Sequence, residues 1–495
     1  MNKNLLQVTS PYLPGWEYTP DVEPYVFNDR VYIYGSHDKY NQEVYCENDY
    51  VTWSAPVTDL GNWRYEGVIY RKDQDPSNKD MQGNLFASAV SMGPDGRYYL
   101  YYSLSNLSHV AVAVCDRPDG QFEFYGYVHY SDGTKLGERP TDEHQFDPAV
   151  LLEGDKVYLY TGFNPEDDKD RHGPMVTVLD KDMLTVIEDP EFIAPSAYYS
   201  KGTPYEGHGF FEASSIRVVN GKYYFIYSSY VNHELCYAVG DSPKGPFEYG
   251  GVIISNADIG IDTYKAANKP ALPHANNHGS IIEINGEWYI FYHRHTNNHN
   301  YSRQACLEHI TINADGSIDQ VEMTSCGGLK PFVGEGVYPA YLACNLYNDE
   351  ADDVNYKIPW VGFLNDHFPK LIQDYADVEP DGVDEIGYPK PSHEVNGYIY
   401  NMQNTATAGF KYFEFSGLKE IAISTKGYGS GKMELYVAKK GKLADRIKLG
   451  EYNIESTNVF TKASLPVTVE DGVYAVYLVF VGANNVSLKE IEFIK

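Results

Sequence analysis

Three acidic residues, Asp21, Asp147 and Glu212, stand at nearly the same distance before a tyrosine-rich segment. The distance to the tyrosine that aligns these segments is eleven residues for the two aspartates and twelve for Glu212, where we expect a hairpin one residue longer. Equivalent positions of a repeat converge if the repeats surround one axis. Converging carboxylates raise at least one pKa, which leaves a proton donor beside groups that stay ionised. Such a set suits general acid and base chemistry.

Five tyrosine-rich segments define the repeat. They are RVYIYGS (30–36), RYYLYYS (97–103), KVYLYTG (156–162), KYYFIYS (222–228) and EWYIFYH (287–293), aligned on Tyr32, Tyr99, Tyr158, Tyr224 and Tyr289. Each follows a pair of Asn, Asp or Gly residues, which is typical of a tight β-hairpin turn. A spacing of 59 to 67 residues leaves room for the four antiparallel strands of a propeller blade.

The sequence therefore predicts an all-β protein with two domains. Residues 1–338 are predicted to form a five-bladed β-propeller. Residues 339–495 lose the tyrosine pattern, pass through a polar, acidic region (349–393) and end in regularly spaced strand-like runs. This second part is predicted to be a β-sandwich.

The innermost strands of a propeller line its axis, so the repeat positions are expected to meet there. His278 occupies the same position in the fifth repeat, and the small, neutral Ser88 occupies it in the second. Taken singly, Asp21 and Asp147 fit turn residues beside proline, and Glu212 fits a solvated strand end. Their common register favours a site.

The charge balance excludes several classes of partner. Asp and Glu total 69 against 39 Lys and Arg, so the net charge is −30, which repels nucleic acids and anionic membranes. No long apolar run and no secretory signal pattern are present, and we expect a cytoplasmic protein. The six scattered cysteines are expected to be reduced.

Glycosidic bond cleavage is the chemistry that these acids serve best. A protonated carboxyl group donates to the leaving oxygen while an ionised carboxylate activates water from the opposite face of the sugar. The Asp of blade one, DPAV in blade three and HGFFEASS in blade four resemble glycoside hydrolase family 43 over roughly residues 10 to 335. The resemblance implies that Asp21 is the general base, Asp147 tunes and orients the acid, and Glu212 is the general acid.

Blade one departs from the family pattern, because PDVEP leaves Glu23 as a competing carboxylate; register and strand alternation favour Asp21. In blade two, LFASAV stands where many members have Trp-Ala-Pro, so Phe86 is expected to form the apolar platform of the sugar pocket. Arg303 resembles the arginine that reaches the sugar in the family, with an exposed strand arginine as the alternative. Ser88 is a further predicted pocket residue. His208, Phe210 and Phe211 flank Glu212, and because side chains alternate along a strand, only some of these three are expected to face the channel. His37 and Asp38 either reach the cavity mouth or belong to a surface loop.

The family resemblance also implies a metal ion on the axis. A calcium ion is expected near His278, held largely through water because calcium prefers oxygen ligands. The alternative is a histidine that hydrogen bonds to ordered water. The run YHRHTNNH suggests zinc through His293, His295 and His299, but strand alternation favours pocket lining or a surface loop.

The C-terminal domain loosely resembles a family 6 carbohydrate-binding module, through GVYAVYLVFVGANNVSLKEIEF. It either binds sugar or braces the propeller.

We expect an inverting, exo-acting α-L-arabinofuranosidase on arabinoxylan oligosaccharides. The alternative is a β-xylosidase, or an enzyme with both activities, on xylan-derived oligosaccharides. Competing hypotheses are a non-catalytic glycan-binding propeller and a retaining propeller that cleaves sucrose or fructans.

Overall fold

A computed structural model describes residues 7–165, 168–297, 299–348, 368–373 and 397–495. In these ranges the only helices are two short 3-10 turns, Lys72–Gln74 and Ala340–Leu342, and everything else is strand or loop. The fold is all-β, as predicted. No helix in the described part of the chain has the length and apolar character needed to cross a membrane.

The first nineteen strands form five antiparallel sheets, one for each predicted blade. Blade one contains β1 (Glu23–Phe27), β2 (Arg30–Tyr34), β3 (Tyr50–Pro56) and β4 (Arg64–Tyr70). Blade two contains β5 (Leu85–Met92), β6 (Tyr98–Leu104), β7 (Val110–Cys115) and β8 (Glu123–Tyr127). Blade three contains β9 (Ala149–Glu153), β10 (Lys156–Thr161), β11 (Met175–Leu179) and β12 (Val186–Phe192). Blade four contains β13 (Phe210–Val219), β14 (Lys222–Ser229), β15 (Leu235–Gly240) and β16 (Phe247–Ile254), and blade five contains β17 (Ile281–Ile284), β18 (Glu287–Thr296) and β19 (His299–Ile310).

The first strand of each blade is the innermost one. Contacts between neighbouring blades join β17 to β1, β1 to β5, β5 to β9 and β9 to β13. The ring closes between blades four and five, where the Ser215 hydroxyl lies 2.7 Å from that of Ser280. The first strands therefore surround the channel, and the segments that begin them are brought together at one end.

The aligned tyrosines of the repeat explain how the blades pack. Each is buried in a different hydrophobic cluster between sheets; they are Tyr32, Tyr99, Tyr158, Tyr224 and Tyr289. An aromatic ring on the second strand of each blade thus fills the wedge beside the next blade, which is why the sequence repeats it. The N-terminal segment completes blade five, because the Tyr12 N–H donates to the Ala305 carbonyl on β19 at 3.3 Å.

The C-terminal part forms two facing sheets, which is the predicted β-sandwich. One sheet contains β20 (Phe332–Val333), β22 (Asn345–Asn348), β25 (Ala406–Phe415), β27 (Ser430–Lys439), β28 (Ile447–Ile454) and β30 (Gly472–Ala483). The other contains β21 (Gly336–Pro339), β23 (Lys370–Gln373), β24 (Gly397–Met402), β26 (Glu420–Gly427), β29 (Thr457–Pro466) and β31 (Val486–Ile494). The predicted boundary after residue 338 falls inside β21. Most of the acidic region predicted at 349–393 lies outside the described residues.

The sandwich packs closely on blades four and five. Arg294 of β18 donates to the carbonyls of Ala343 and Tyr341 at 2.8 and 2.6 Å. The buried Lys411 ammonium lies 3.2 Å from Asp258 and 2.9 Å from Glu322. These contacts brace the propeller, which was one of the two predicted roles of the domain. All six cysteines are unpaired, as expected.

Candidate active site

A cavity of about 260 Å³ opens at the end of the channel where the predicted acids meet. Asp21, Asp147 and Glu212 all line it, so the convergence predicted from their register is observed. The other lining residues are Tyr45, Cys46, Phe86, Ala87, Phe146, Phe163, Phe211, His233, Asn276, His278 and Arg303. Such a mixture of an apolar wall with a few convergent charged groups is typical of small-molecule sites.

Asp21 is held ionised by its neighbours. It stands just before β1 with a left-handed backbone (φ 57°), and its side chain is buried. Burial opposes ionisation, but the positive charge of the Arg303 guanidinium, with a further contribution from His278, outweighs it and lowers the pKa of Asp21. Nη1 of Arg303 lies 2.9 and 3.0 Å from the two carboxylate oxygens. The predicted role of Arg303 in the pocket agrees with this position, and the exposed-arginine alternative is wrong.

Arg303 is itself fixed by a second carboxylate, Asp38. Nε and Nη2 of Arg303 donate to the two oxygens of Asp38 at 2.8 and 2.9 Å, and Tyr45 stacks on the guanidinium with 4.9 Å from Cζ to the ring centre. His37 is also tied down, since its Nε2 lies 3.0 Å from Glu17. The surface-loop alternative for His37 and Asp38 is therefore wrong, but neither side chain lines the cavity; Asp38 supports Arg303 from behind.

Asp147 accepts a hydrogen bond from a backbone N–H of the distorted strand β13. β13 has a bulge between Glu212 and Ser215, and Ala213 within it has φ 67°. This turns the Ala213 N–H toward Asp147, whose Oδ2 accepts it at 3.0 Å. The sequence predicted a longer hairpin in this blade. Instead the turn is as short as in blades one, three and five, and the extra residue is the bulge.

Glu212 has the opposite ionisation tendency to Asp21. Burial raises its pKa well above the usual glutamate value, and the negative charges of Asp147 and Asp21 raise it further. Burial also raises the pKa of Asp147, against the stabilising effect of His278. The cavity therefore combines a carboxyl group that keeps its proton with a carboxylate that does not.

Glu23, the competing carboxylate, points away from the cavity. It is fully buried, and its Oε2 lies 2.7 Å from Nη2 of Arg217. Burial disfavours the charged form of Glu23, but Arg217 outweighs burial and lowers its pKa. The preference for Asp21 agrees with this geometry.

His278 lies between Glu23 and the acids of the cavity, with Nε2 3.7 Å from Glu23 and Nδ1 3.6 Å from Asp147. Although burial disfavours the imidazolium, these carboxylates raise the pKa of His278 to about 10.

The residues around His278 do not fit the expected calcium ion. Calcium takes about six to eight oxygen ligands and needs negative charge that is not already neutralised. The two nearest carboxylates already face cations, Glu23 the Arg217 guanidinium at 2.7 Å and Asp147 the His278 imidazolium at 3.6 Å. A guanidinium at 2.7 Å from Glu23 repels a second cation at the same place.

Four phenylalanines form the apolar wall of the cavity. Ring centres lie 5.5 Å apart for Phe86 and Phe146, 5.2 Å for Phe146 and Phe163, and 5.3 Å for Phe163 and Phe211. Phe86 was predicted as the platform. The sequence did not predict Phe146, although it directly precedes Asp147. It also did not predict Phe163, which lies two residues after β10. Tyr45, Cys46, His233 and Asn276 were missed because they lie on loops that carry no repeat signal.

Ala87 lines the cavity in place of the predicted Ser88. The aligned tyrosine pairs with a residue seven positions earlier in blade one (Tyr25 and Tyr32), but eight positions earlier in blade two (Ser91 and Tyr99). The blade-two turn is therefore one residue longer. Counting back from the tyrosine placed Ser88 at the cavity, whereas its side chain is buried and Ala87 lines the cavity instead.

Two further predicted pocket residues point elsewhere. Phe210 is fully buried in the cluster between blades three and four. The register shift between Phe210 and Glu212 sends the next ring, Phe211, into the cavity. His208 does not line the cavity; it stacks on Tyr249 and its Nδ1 lies 3.0 Å from Glu234.

The histidine run does not form a zinc site among the described side chains. The Nε2 atoms of His293 and His295 lie 2.8 and 2.9 Å from the Asn276 carbonyl, so both nitrogens carry hydrogen and donate to it. Nδ1 of His293 then accepts the Asp21 N–H at 3.3 Å. Burial lowers the pKa of His293 to about 3, which agrees with a neutral ring. Both rings are buried beneath the cavity, and the side chain of His299 lies outside the described residues.

Comparison with known proteins identifies the family. The profile of Glycosyl hydrolases family 43 matches residues 8–318, which is more than half of the chain. The chain belongs to this family. Like the family, it is therefore a glycoside hydrolase, and the matched region is the propeller that carries the cavity.

A curated relative covers both domains of this family 43 chain. The "Xylosidase/arabinosidase" of Thermoclostridium stercorarium is 54% identical over 482 residues, which is 97% of each chain. A second "Xylosidase/arabinosidase", from Bacteroides ovatus, is 29% identical over 57% of this chain and 87% of its own.

The chain is also similar to a solved structure, a family 43 arabinoxylan arabinofuranohydrolase from Bacillus subtilis in complex with cellotetraose. The match covers 99% of both chains, with 20% identity and a TM-score of 0.50. At this identity the similarity is evidence for the fold alone. It agrees with a propeller followed by a sandwich. Sugar binding by the sandwich stays a prediction.

Proposed function

We propose that this family 43 hydrolase is an exo-acting, inverting enzyme that removes single terminal pentoses, chiefly α-L-arabinofuranosyl groups, from arabinoxylan oligosaccharides. The observation that supports it most is the opposite ionisation of two carboxyl groups on one cavity. The pKa of Asp21 is lowered by Arg303 against the effect of burial, whereas burial and neighbouring charge raise that of Glu212. A base and an acid are thus available at the same pH.

In the proposed mechanism, Glu212 donates its proton to the glycosidic oxygen. Asp21, kept ionised beside Arg303, takes a proton from a water molecule that attacks the anomeric carbon. Asp147 is held by the Ala213 N–H and adds negative charge near Glu212, which helps Glu212 keep its proton until the leaving group needs it. The hydroxyl of the water bonds to the anomeric carbon as the glycosidic bond breaks, and the leaving oxygen keeps the proton from Glu212. Asp21 then releases its new proton to solvent and Glu212 regains one from solvent, so the enzyme returns to its starting state.

The inverting stereochemistry is supported by where the base and acid originate. Asp21 precedes β1 of blade one, and Glu212 lies on β13 of blade four. These blades are not neighbours in the ring, so the two side chains approach the cavity from different sides. Inversion requires such a placement, with room of about 6.5–9.5 Å for a water molecule between the carboxyl groups.

Exo action is supported by the size and lining of the cavity. Its volume of about 260 Å³ is below the range of roughly 300–1,000 Å³ typical of drug-sized ligands. The wall of four phenylalanines closes one side. A single sugar ring fits such a space, with the remainder of the chain directed outward.

A β-xylosidase, or an enzyme with both activities, is the second candidate. Arabinofuranose and xylopyranose can present similarly placed hydroxyl groups, and the relative from Thermoclostridium stercorarium carries both activities in its name. The deciding measurement is kcat/KM for nitrophenyl α-L-arabinofuranoside and nitrophenyl β-D-xyloside with one preparation. A higher value for the arabinofuranoside supports the proposal, and a higher value for the xyloside favours the alternative.

Proton NMR of the first-formed sugar tests the stereochemistry. Inversion releases the anomer opposite to that of the substrate before mutarotation mixes the two. Release of the same anomer would contradict the proposed mechanism and favour a retaining propeller enzyme.

A further inference from the structure

The ion pair between Arg217 and Glu23 spans the propeller channel. Glu23 begins β1 of blade one and Arg217 lies on β13 of blade four, and these blades are not neighbours in the ring. The two side chains therefore meet across the axis. Besides contacting Glu23 at 2.7 Å, the guanidinium donates to the carbonyls of Ile216 and Pro24 at 2.8 and 3.1 Å and lies over the ring of Tyr25, with 4.8 Å from Cζ to its centre.

This pair is linked to the cavity by His278. The imidazole comes from blade five and lies 3.7 Å from Glu23 on one side and 3.6 Å from Asp147 on the other. Guanidinium, carboxylate, imidazole and carboxylate thus form one continuous row from the channel to the cavity. Four of the five blades contribute one member each.

A buried carboxylate on the axis needs a nearby positive charge, because an unpaired one is very costly. Arg217 supplies that charge here, at the place where the family resemblance suggested calcium. In the described residues, three potential metal ligands come together at His208, Glu234 and Cys236. Glu234 and Cys236 belong to the region of β15, the third strand of blade four, and not to the channel.

We propose that Arg217 is the resident cation of the propeller axis. It acts as a positioning residue that fixes Glu23 and, through His278, the orientation of Asp147 beside Glu212. Hydrolysis consequently requires no divalent metal. The effect on catalysis rests on the proposed function, whereas the absence of a calcium requirement for the folded chain can be measured without it.

The first experiment uses the wild-type protein. After dialysis against EDTA, we expect the same melting temperature and the same kcat as with excess calcium chloride, and no heat of calcium binding in titration calorimetry. Loss of kcat or a lower melting temperature in EDTA, restored by calcium, would overturn the proposal. So would stoichiometric calcium binding. The calorimetric and melting results hold even if the substrate class proves to be wrong.

The second experiment compares Arg217→Met with Arg217→Lys. Removal of the charge in Arg217→Met is expected to lower kcat roughly 10- to 100-fold with little change in KM, because an Asp147 that is out of place weakens the reaction more than binding. Arg217→Lys keeps a positive charge and is expected to recover most of the loss. Arg64→Met, on the exposed surface of blade one, is the matched control and should match wild type.

Full kcat in Arg217→Met, or an equal loss of kcat in both variants, would contradict the positioning role. If Arg217→Met does not fold, Arg217→Lys and the calcium measurements on wild type still decide the question.

Discussion

Arg303 joins Asp21 to Asp38 in the interior of the protein. One guanidinium nitrogen contacts both oxygens of Asp21, at 2.9 and 3.0 Å, while two others contact Asp38 at 2.8 and 2.9 Å. All three side chains are buried. The planar fork of arginine is what allows one cation to neutralise two carboxylates in this way.

Arg303→Lys is therefore expected to be a severe change. A lysine ammonium is a single point charge and cannot span both carboxylates, so one of them is left buried without a partner. We expect a loss of about 3–5 kcal/mol in the free energy of unfolding, measured with urea, together with a large fall in kcat/KM. Arg117→Lys, on the exposed surface, is the control. Wild-type stability in Arg303→Lys would show that the two ion pairs contribute little.

Glu212→Gln separates a hydrolase from a glycan-binding propeller. The amide keeps the shape of the side chain but cannot donate the catalytic proton. We expect kcat on xylo- or arabinoxylan oligosaccharides, which have poor leaving groups, to fall about 10²–10⁴-fold, and turnover of nitrophenyl glycosides to fall less. Glu248→Gln, at an exposed site of the same blade, should behave like wild type. Unchanged hydrolysis of oligosaccharides by Glu212→Gln would exclude Glu212 as the acid.

The pH profile of kcat/KM is expected to be bell-shaped. Activity falls with decreasing pH as Asp21 gains a proton, below the usual aspartate range because its pKa is lowered by Arg303 against the effect of burial. Activity falls with increasing pH as Glu212 loses its proton, well above the usual glutamate range, because burial and then Asp147 raise its pKa. Because Glu212 and Asp147 interact, the apparent pKa of the alkaline limb belongs to both groups together.

Asp147→Asn should move the alkaline limb toward lower pH. The substitution removes a negative charge that raises the pKa of Glu212, while burial stays the same. The measurement is kcat/KM across the pH range, with Asp155→Asn in the exposed turn of blade three as the control. An alkaline limb that stays in place or moves to higher pH would contradict the assigned interaction.

Phe210→Ala and Phe211→Ala should have different effects although the residues are adjacent. Phe210 is fully buried between blades three and four, so its truncation is expected to cost about 3–5 kcal/mol of stability with KM unchanged. Phe211 lines the cavity, and its truncation should mainly raise KM. Urea unfolding and steady-state kinetics measure the two effects. The opposite pattern would contradict the register shift between Phe210 and Glu212.

The repeat pattern in the sequence was sufficient to predict the architecture and the meeting of the acids. Hairpin turns and alternating apolar positions are local properties, and a tyrosine at the same place in each blade fills each wedge between sheets. Once five such units close into a ring, equivalent positions must converge. The repeat therefore located Asp21, Asp147 and Glu212 at the cavity, and the family resemblance added Phe86 and Arg303.

The tertiary structure decided what depends on exceptions to that repeat and on contacts across the ring. One extra turn residue brought Ala87 and not Ser88 to the cavity, and the register shift between Phe210 and Glu212 placed Phe211 in the cavity and Phe210 in the core. The pairing of Arg217 with Glu23 joins blades that are distant in sequence and not adjacent in space. No local pattern records such a contact, because it exists only when ring closure brings opposite strands within reach of each other.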